Sequence, residues 1–169
     1  QRCRRLSEEK YSLDVMVDSY VKLWEKTVVD NEAKATRNTN KKVLHIIVDL
    51  EVGGAELMLK RLIVRHISAF RSSHIVVSLG GVGVVGQQLR EQGVEVVALE
   101  INSAFRLPWG FICLVKLICC QRPDIVQTWM YHADLIGGLA ARLTGCRKVI
   151  WGIRNTDLFP GSGVSRTTG

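Results

Sequence analysis

The chain has 169 residues, 47% hydrophobic and 23% charged, and a formal net charge of +7; that allows one domain with a real core and is too short for two of full size. Its basic residues are scattered (Arg4, Arg5, Lys60, Arg61, Arg65, Arg71, Arg142, Arg147, Lys148) and never interleave with aromatics in a block, which argues against nucleic acid and leaves an anionic membrane surface or a phosphorylated ligand. Cys3, Cys113, Cys119, Cys120 and Cys146 form no CxxC pair and have no histidine at metal spacing, which argues against a disulfide framework or zinc site, and a reducing, cytoplasmic setting is expected.

In chain order, residues 1–35 read as a helical segment. QRCRRLSEEK has no apolar stretch behind its basic residues, so no signal peptide is visible. Cys3 to Lys10 fits a short helix. Leu13, Met16, Val17, Tyr20, Leu23, Trp24 and Val28 recur at helical spacing, with Ser12 as N-cap and Asp14 in the first turn. The polar run Asn31 to Asn40 lacks periodicity, and the linker is placed at 36–41.

From residue 42 to 169 strands and helices alternate. Strands are expected at Val43–Asp49, His74–Leu79, Val94–Ile101, Asp124–Trp129 and Lys148–Ile153, and helices at Ala55–Ile67, Gly86–Gln92, Trp109–Cys120 and Ala133–Leu143. Gly93 and Gly145 stand where helix-ending glycines stand. The apolar run Trp109 to Cys120 contains Lys116 and is shorter than the ~20 residues of a membrane span. Buried strands separated by crossover helices define an α/β fold with a Rossmann-like, doubly wound, mostly parallel sheet. The turn-rich tail Leu158 to Gly169 reads as a domain cut short.

Ligands of such sheets lie beyond the carboxyl ends of the strands, so the loops there carry the candidate site. Gly53 and Gly54 follow the first strand and open a helix, a geometry that suits phosphate, while Glu56 complements the helix dipole. Gly81-Val82-Gly83-Val84-Val85-Gly86 fits GxGxxG, and Glu100 lies at the spacing of a ribose-binding acid. The motif follows the second strand and not the first, however, and the helix after it has only about two turns before Gly93, so a plain glycine loop is the preferred reading. His132 follows the fourth strand, where an imidazole can bond a sugar hydroxyl or phosphate or move a proton. Asp134 reads as a cap, and Trp129 and Tyr131 as packing or sugar-stacking rings. Arg154, Asn155 and Asp157 follow the fifth strand, with Arg154 able to grip a phosphate or pair with Asp157. His45 reads as a core histidine, His66 and His74 as surface or element-end residues.

The ordered set KVLHIIVDLEVGGAE (42–56), His74–Leu79 with QQLREQGVEVVALEI (87–101), PDIVQTWMYHADLIGGLAARLTG (123–145) and VIWGIRNTDL (149–158) resembles the N-terminal domain of family 4 glycosyltransferases, which have the two-domain GT-B fold. RCRRLSEEKYSLDVMVDSYVKLWEK is similar to the extreme C-terminus of the same enzymes, where a last helix crosses back onto the N-terminal domain.

The resemblance implies transfer of a hexose from a nucleotide-diphosphate sugar to a glycan, lipid-linked or small-molecule acceptor, with retained configuration, no metal and no resident cofactor. It implies that His132 lies near the transferred sugar, that Gly53 and Gly54 face the donor's phosphate or sugar, and that Arg154 and Asn155 belong to a rim motif. The family's nucleotide-binding C-terminal domain, with its Glu-x7-Glu motif, has no counterpart in these 169 residues. The chain alone is therefore expected to be incomplete as an enzyme, with peripheral contact at the inner face of a membrane. The alternatives are a non-catalytic docking remnant and, further off, a dinucleotide-binding oxidoreductase domain.

Overall fold

The fold follows from strands that are apolar on both faces. In the computed structural model, which describes residues 15, 18–20, 22–24, 26, 41–69 and 73–152, β1 (Lys42–Ile47) is buried at every position after Lys42. A strand covered on both sides needs a helix layer on each, and crossover connections supply them. α1 (Gly54–Ala69) leads to β2 (Ser73–Ser78), α2 (Gly83–Glu91) to β3 (Glu95–Ala98), α3 (Leu107–Gln121) to β4 (Ile125–Trp129) and α4 (Tyr131–Leu143) to β5 (Val149–Gly152). All strand pairs are parallel, in the order β3-β2-β1-β4-β5. This is the Rossmann-like α/β sheet expected from the alternation of elements.

Side-chain alternation divides the core into two layers. Val43, Ile47, Val76, Ile125 and Trp129 face α1 and α2, where Met58, Leu59, Leu62 and Leu89 meet them. Leu44, Ile46, Ile75, Val77 and Val126 face α3 and α4 and pack on Leu114, Ile118, Ala133 and Ala140. Each fully buried aliphatic side chain contributes roughly 1.5–3 kcal/mol. Residues 15, 18–20, 22–24 and 26 are helical, as the N-terminal periodicity predicts. Trp24 from this helix joins the α1-side core with Tyr20 against it, whereas Leu23, expected on the apolar face, is exposed. The expected helix at 3–10, the linker up to Asn40 and the tail lie outside the described residues.

Element ends shift in readable ways. β1 stops at Ile47 rather than Asp49, and β3 is shorter than expected. The helical stretch Ala104–Gln121, a 3-10 turn running into α3, is longer than the Trp109 to Cys120 run. Its 18 residues, of mean hydropathy 1.4, are long and apolar enough to cross a membrane by length and composition, and only 17% of them are buried. Gly110, Leu114 and Ile118 seat α3 on the sheet. Gly93 and Gly145 have φ of +80° and +77°, as helix-ending glycines do.

The GxGxxG stretch has a packing role. Gly83 has φ +56°, and a Cβ there would overlap the carbonyl of Leu50, in the loop after β1. The Val85 N–H donates to that same carbonyl at 3.0 Å. The glycines thus let the start of α2 close against the β1 loop, whose Leu50 is fully buried, and leave no room there for a dinucleotide to approach the Gly83 backbone. Gly83→Ala is expected to lower the unfolding free energy by roughly 2–3 kcal/mol in urea titration, through left-handed strain and backbone overlap; an unchanged midpoint would contradict this packing.

Candidate functional site

β1 and β4 are adjacent, and their following helices lie on opposite faces of the sheet: α1 packs with Val43 and Ile47, α4 with Leu44 and Ile46. The connections therefore diverge, which opens a crevice above the carboxyl ends of these two strands. The Gly53-Gly54 turn follows β1 and His132 follows β4, so both reach this edge from neighbouring strands.

Gly54 is exposed, and a side chain there would meet open space. The turn is thus unobstructed toward solvent, and the Leu57 N–H donates to the Gly53 carbonyl at 3.1 Å. Glu56 is buried, with its carboxylate folded back over Gly53. An anion already sits at the N-terminus of α1, where the dipole favours it. This end offers a carboxylate acceptor beside its N–H groups and repels a second full negative charge.

His132 is the second residue of α4 and is exposed, as is Tyr131. The loop that presents them is held on both sides. Met130 has φ 72° and ψ 157°, a conformation that costs a non-glycine residue about 1–3 kcal/mol. Its carbonyl accepts the Asp134 N–H at 2.8 Å. The Asp134 carboxylate, itself buried, accepts from Thr128 Oγ1 on β4 at 2.6 Å. Asp134 is therefore more than the expected cap: it ties the first turn of α4 to the strand that His132 follows. Gly137 lets α4 approach closely, since a Cβ there would lie 2.8 Å from Ile46 and Thr128.

Trp129 is not available to stack on a sugar. Its ring is fully buried, 5.7 Å from the ring of Tyr20, and its Nε1–H donates to His45 Nδ1 at 3.4 Å. Arg154, Asn155 and Asp157 lie outside the described residues; the last described residue of β5 is Gly152. Among the described residues no cluster of His, Cys, Asp or Glu has the geometry to hold a metal ion.

His45 is buried as expected, but His66 and His74 are buried too, contrary to the sequence reading. The three rings form a chain: His45 Nε2 lies 3.1 Å from His74 Nδ1, and His74 Nε2 lies 2.8 Å from His66 Nδ1. Trp24 covers all three, with ring centroids at 5.5 Å from His45, 4.9 Å from His66 and 5.6 Å from His74. Its Nε1–H donates to Gln127 Oε1 at 2.6 Å, and Gln127 Nε2 is buried without a partner among the described residues. Burial lowers His66 to about 4. Burial, then the charge of His66, lowers His74 to about 3. Burial, followed by the charges of His74 and His66, holds His45 well below its usual value. The rings are neutral near pH 7. One signal could have pointed to this cluster: in parallel strands His45 and His74 alternate onto the face that carries Ile47 and Val76.

Thr128→Val keeps the side-chain shape but removes the donor to Asp134. A loss of about 1–3 kcal/mol in unfolding free energy is expected from the buried carboxylate left without it. Wild-type stability by urea titration would show that the bond does not hold the His132 loop.

No family model matches the sequence, and no curated protein matches it. Solved structures do. MurG of Acinetobacter baumannii superposes with a TM-score of 0.55 at 16% identity, covering 66% of this chain and 34% of that one. A glycosyltransferase from Rickettsia africae ESF-5 superposes with a TM-score of 0.53 at 19% identity, covering 73% of this chain and 32% of that one. The chain spans about a third of the length of these neighbours. In fold, it is similar to part of GT-B glycosyltransferases.

Proposed function

We propose that this chain is the acceptor-side portion of a family 4 glycosyltransferase that moves a hexose from a nucleotide-diphosphate sugar to a glycan or lipid-linked acceptor. The observation that carries the reading is that the open Gly53-Gly54 turn and the exposed, strained His132 loop follow the adjacent parallel strands β1 and β4 at the same sheet edge. The likeness in fold to glycosyltransferases supports it.

His132 donates to a hydroxyl of the transferred sugar close to the reacting carbon. The Glu56 carboxylate at the α1 N-terminus accepts from sugar hydroxyls, so that end takes the sugar side of the donor and not the diphosphate. Arg154 and Asn155, which follow β5 by two and three residues, help stabilise the charge on the leaving diphosphate. A second domain closes the crevice and binds the nucleotide, because one wall alone cannot orient donor and acceptor together. Transfer proceeds with retention and without a metal.

The acceptor is lipid-linked, and the chain meets its membrane through the start of α3. Phe105 (97% exposed), Leu107, Trp109 (71% exposed) and Ile112 project there with the exposed Arg106, and Lys116 and Arg122 are exposed further along the same helix and at its C-cap. Residues 104–123 contain no acid. Aromatic and aliphatic groups among cations are the composition that settles into an anionic interface. The inner, cytoplasmic leaflet is the surface proposed.

In the complete enzyme, His132→Ala should lower kcat by roughly 10²–10⁴-fold in a donor-consumption assay; near-normal turnover would remove it from the site. Phe105→Ser/Trp109→Ser should abolish co-flotation with phosphatidylglycerol vesicles and leave urea stability within about 0.5 kcal/mol. Flotation equal to wild type would refute the membrane contact.

A further inference from the structure

We propose that the helix carrying Trp24 is a latch, held shut by the uncharged His45–His74–His66 relay and opened by protons. The hydrogen bonds have one direction. An indole N–H only donates, so His45 Nδ1 must accept from Trp129 and His45 carries its proton on Nε2. That proton points at His74 Nδ1, which leaves His74 protonated on Nε2, pointing at His66 Nδ1. All three acceptors are thus the unprotonated Nδ1 atoms, and a proton added to any ring turns an acceptor into a donor facing another donor.

The described groups around the relay are uncharged, paired with one another, or exposed on the Trp24 helix. From β4 it meets Gln127 and Trp129, both uncharged. On the α1 side Arg65 pairs with Asp18 of the Trp24 helix at 3.2 Å, both partly exposed. The same helix carries exposed Lys22 and Lys26. Trp24 is the element that covers all three rings, so its departure exposes them to water, while the Leu59 and Leu62 core of the sheet remains.

The sign follows from the lowered values in the closed state. Docking is favoured above the ordinary histidine value of roughly 6.5 and weakens as pH falls from there toward about 4. With three sites taking protons together, one pH unit shifts the open-to-docked ratio by up to about 1000-fold. Opening also removes Tyr20 from Trp129, the residue before the Met130 loop. The inference stands apart from the glycosyltransferase reading.

Amide hydrogen exchange of the whole chain, corrected for intrinsic rates, tests it. Between pH 7.5 and 5.0, peptides spanning 15–26 should lose at least about 100-fold protection, while β1 and β4 keep theirs. His45→Leu/His66→Leu/His74→Leu should hold protection of 15–26 through pH 5.0. Should that variant fail to fold, Trp24→Ala tests the other arm: its relay histidines should titrate near 6.5 by NMR, and those of wild type should not. Equal protection of 15–26 at both pH values would overturn the latch. So would loss of β1 and β4 protection in the same transition, or titration of the wild-type relay near 6.5 while the helix is docked.

Discussion

The structure depends on the burial of β1 from both faces. No other strand is flanked by both β2 and β4 while sending alternate side chains into both helix layers. Val43 and Ile47 anchor the α1 side, and Leu44 and Ile46 anchor the α3–α4 side. Because the strand is covered on both sides, its polar positions have to be satisfied inside the protein, and His45 is the case in point. Because its two neighbours carry helices to opposite faces, the space above its carboxyl end stays open. The crevice and the buried histidine chain are two consequences of one central strand.

Around that strand the chain treats its two ends differently. At the carboxyl edge the loops are locked by backbone and side-chain contacts: the Gly83 backbone against Leu50, the Asp134 carboxylate to the Thr128 hydroxyl, and Met130 in a costly conformation. Locked loops hold side chains at defined positions, which is what a binding crevice needs. The apolar start of α3 also stands at this edge, with Phe105 and Trp109 turned outward where a soluble helix would carry polar groups.

The α1-side layer contains the less expected chemistry. Three imidazoles, an amide and two indoles lie where aliphatic side chains would pack with fewer constraints. A polar chain of this kind has one satisfied arrangement, and among the described residues it ends at Gln127 Nε2. Trp24 gives the chain its cover from a helix distant in sequence, and so joins that helix to the sheet.

What the amino-acid sequence determined by itself was local. Apolar runs at strand length, helical periodicity and glycines at helix ends are properties of a short window, and they specified the alternation of elements, the parallel sheet and the edge on which Gly54 and His132 lie. The partner of each face was decided only by the tertiary structure. His66 and His74 look like element-end residues in their own windows, and they become core residues because α1 lays one over the other and Trp24 covers both. Trp129 passes for a stacking platform until Tyr20 and His45 close over it. A polar side chain carries no periodic signal of its burial; whether it is solvated or paired depends on residues brought near by folding, from far along the chain.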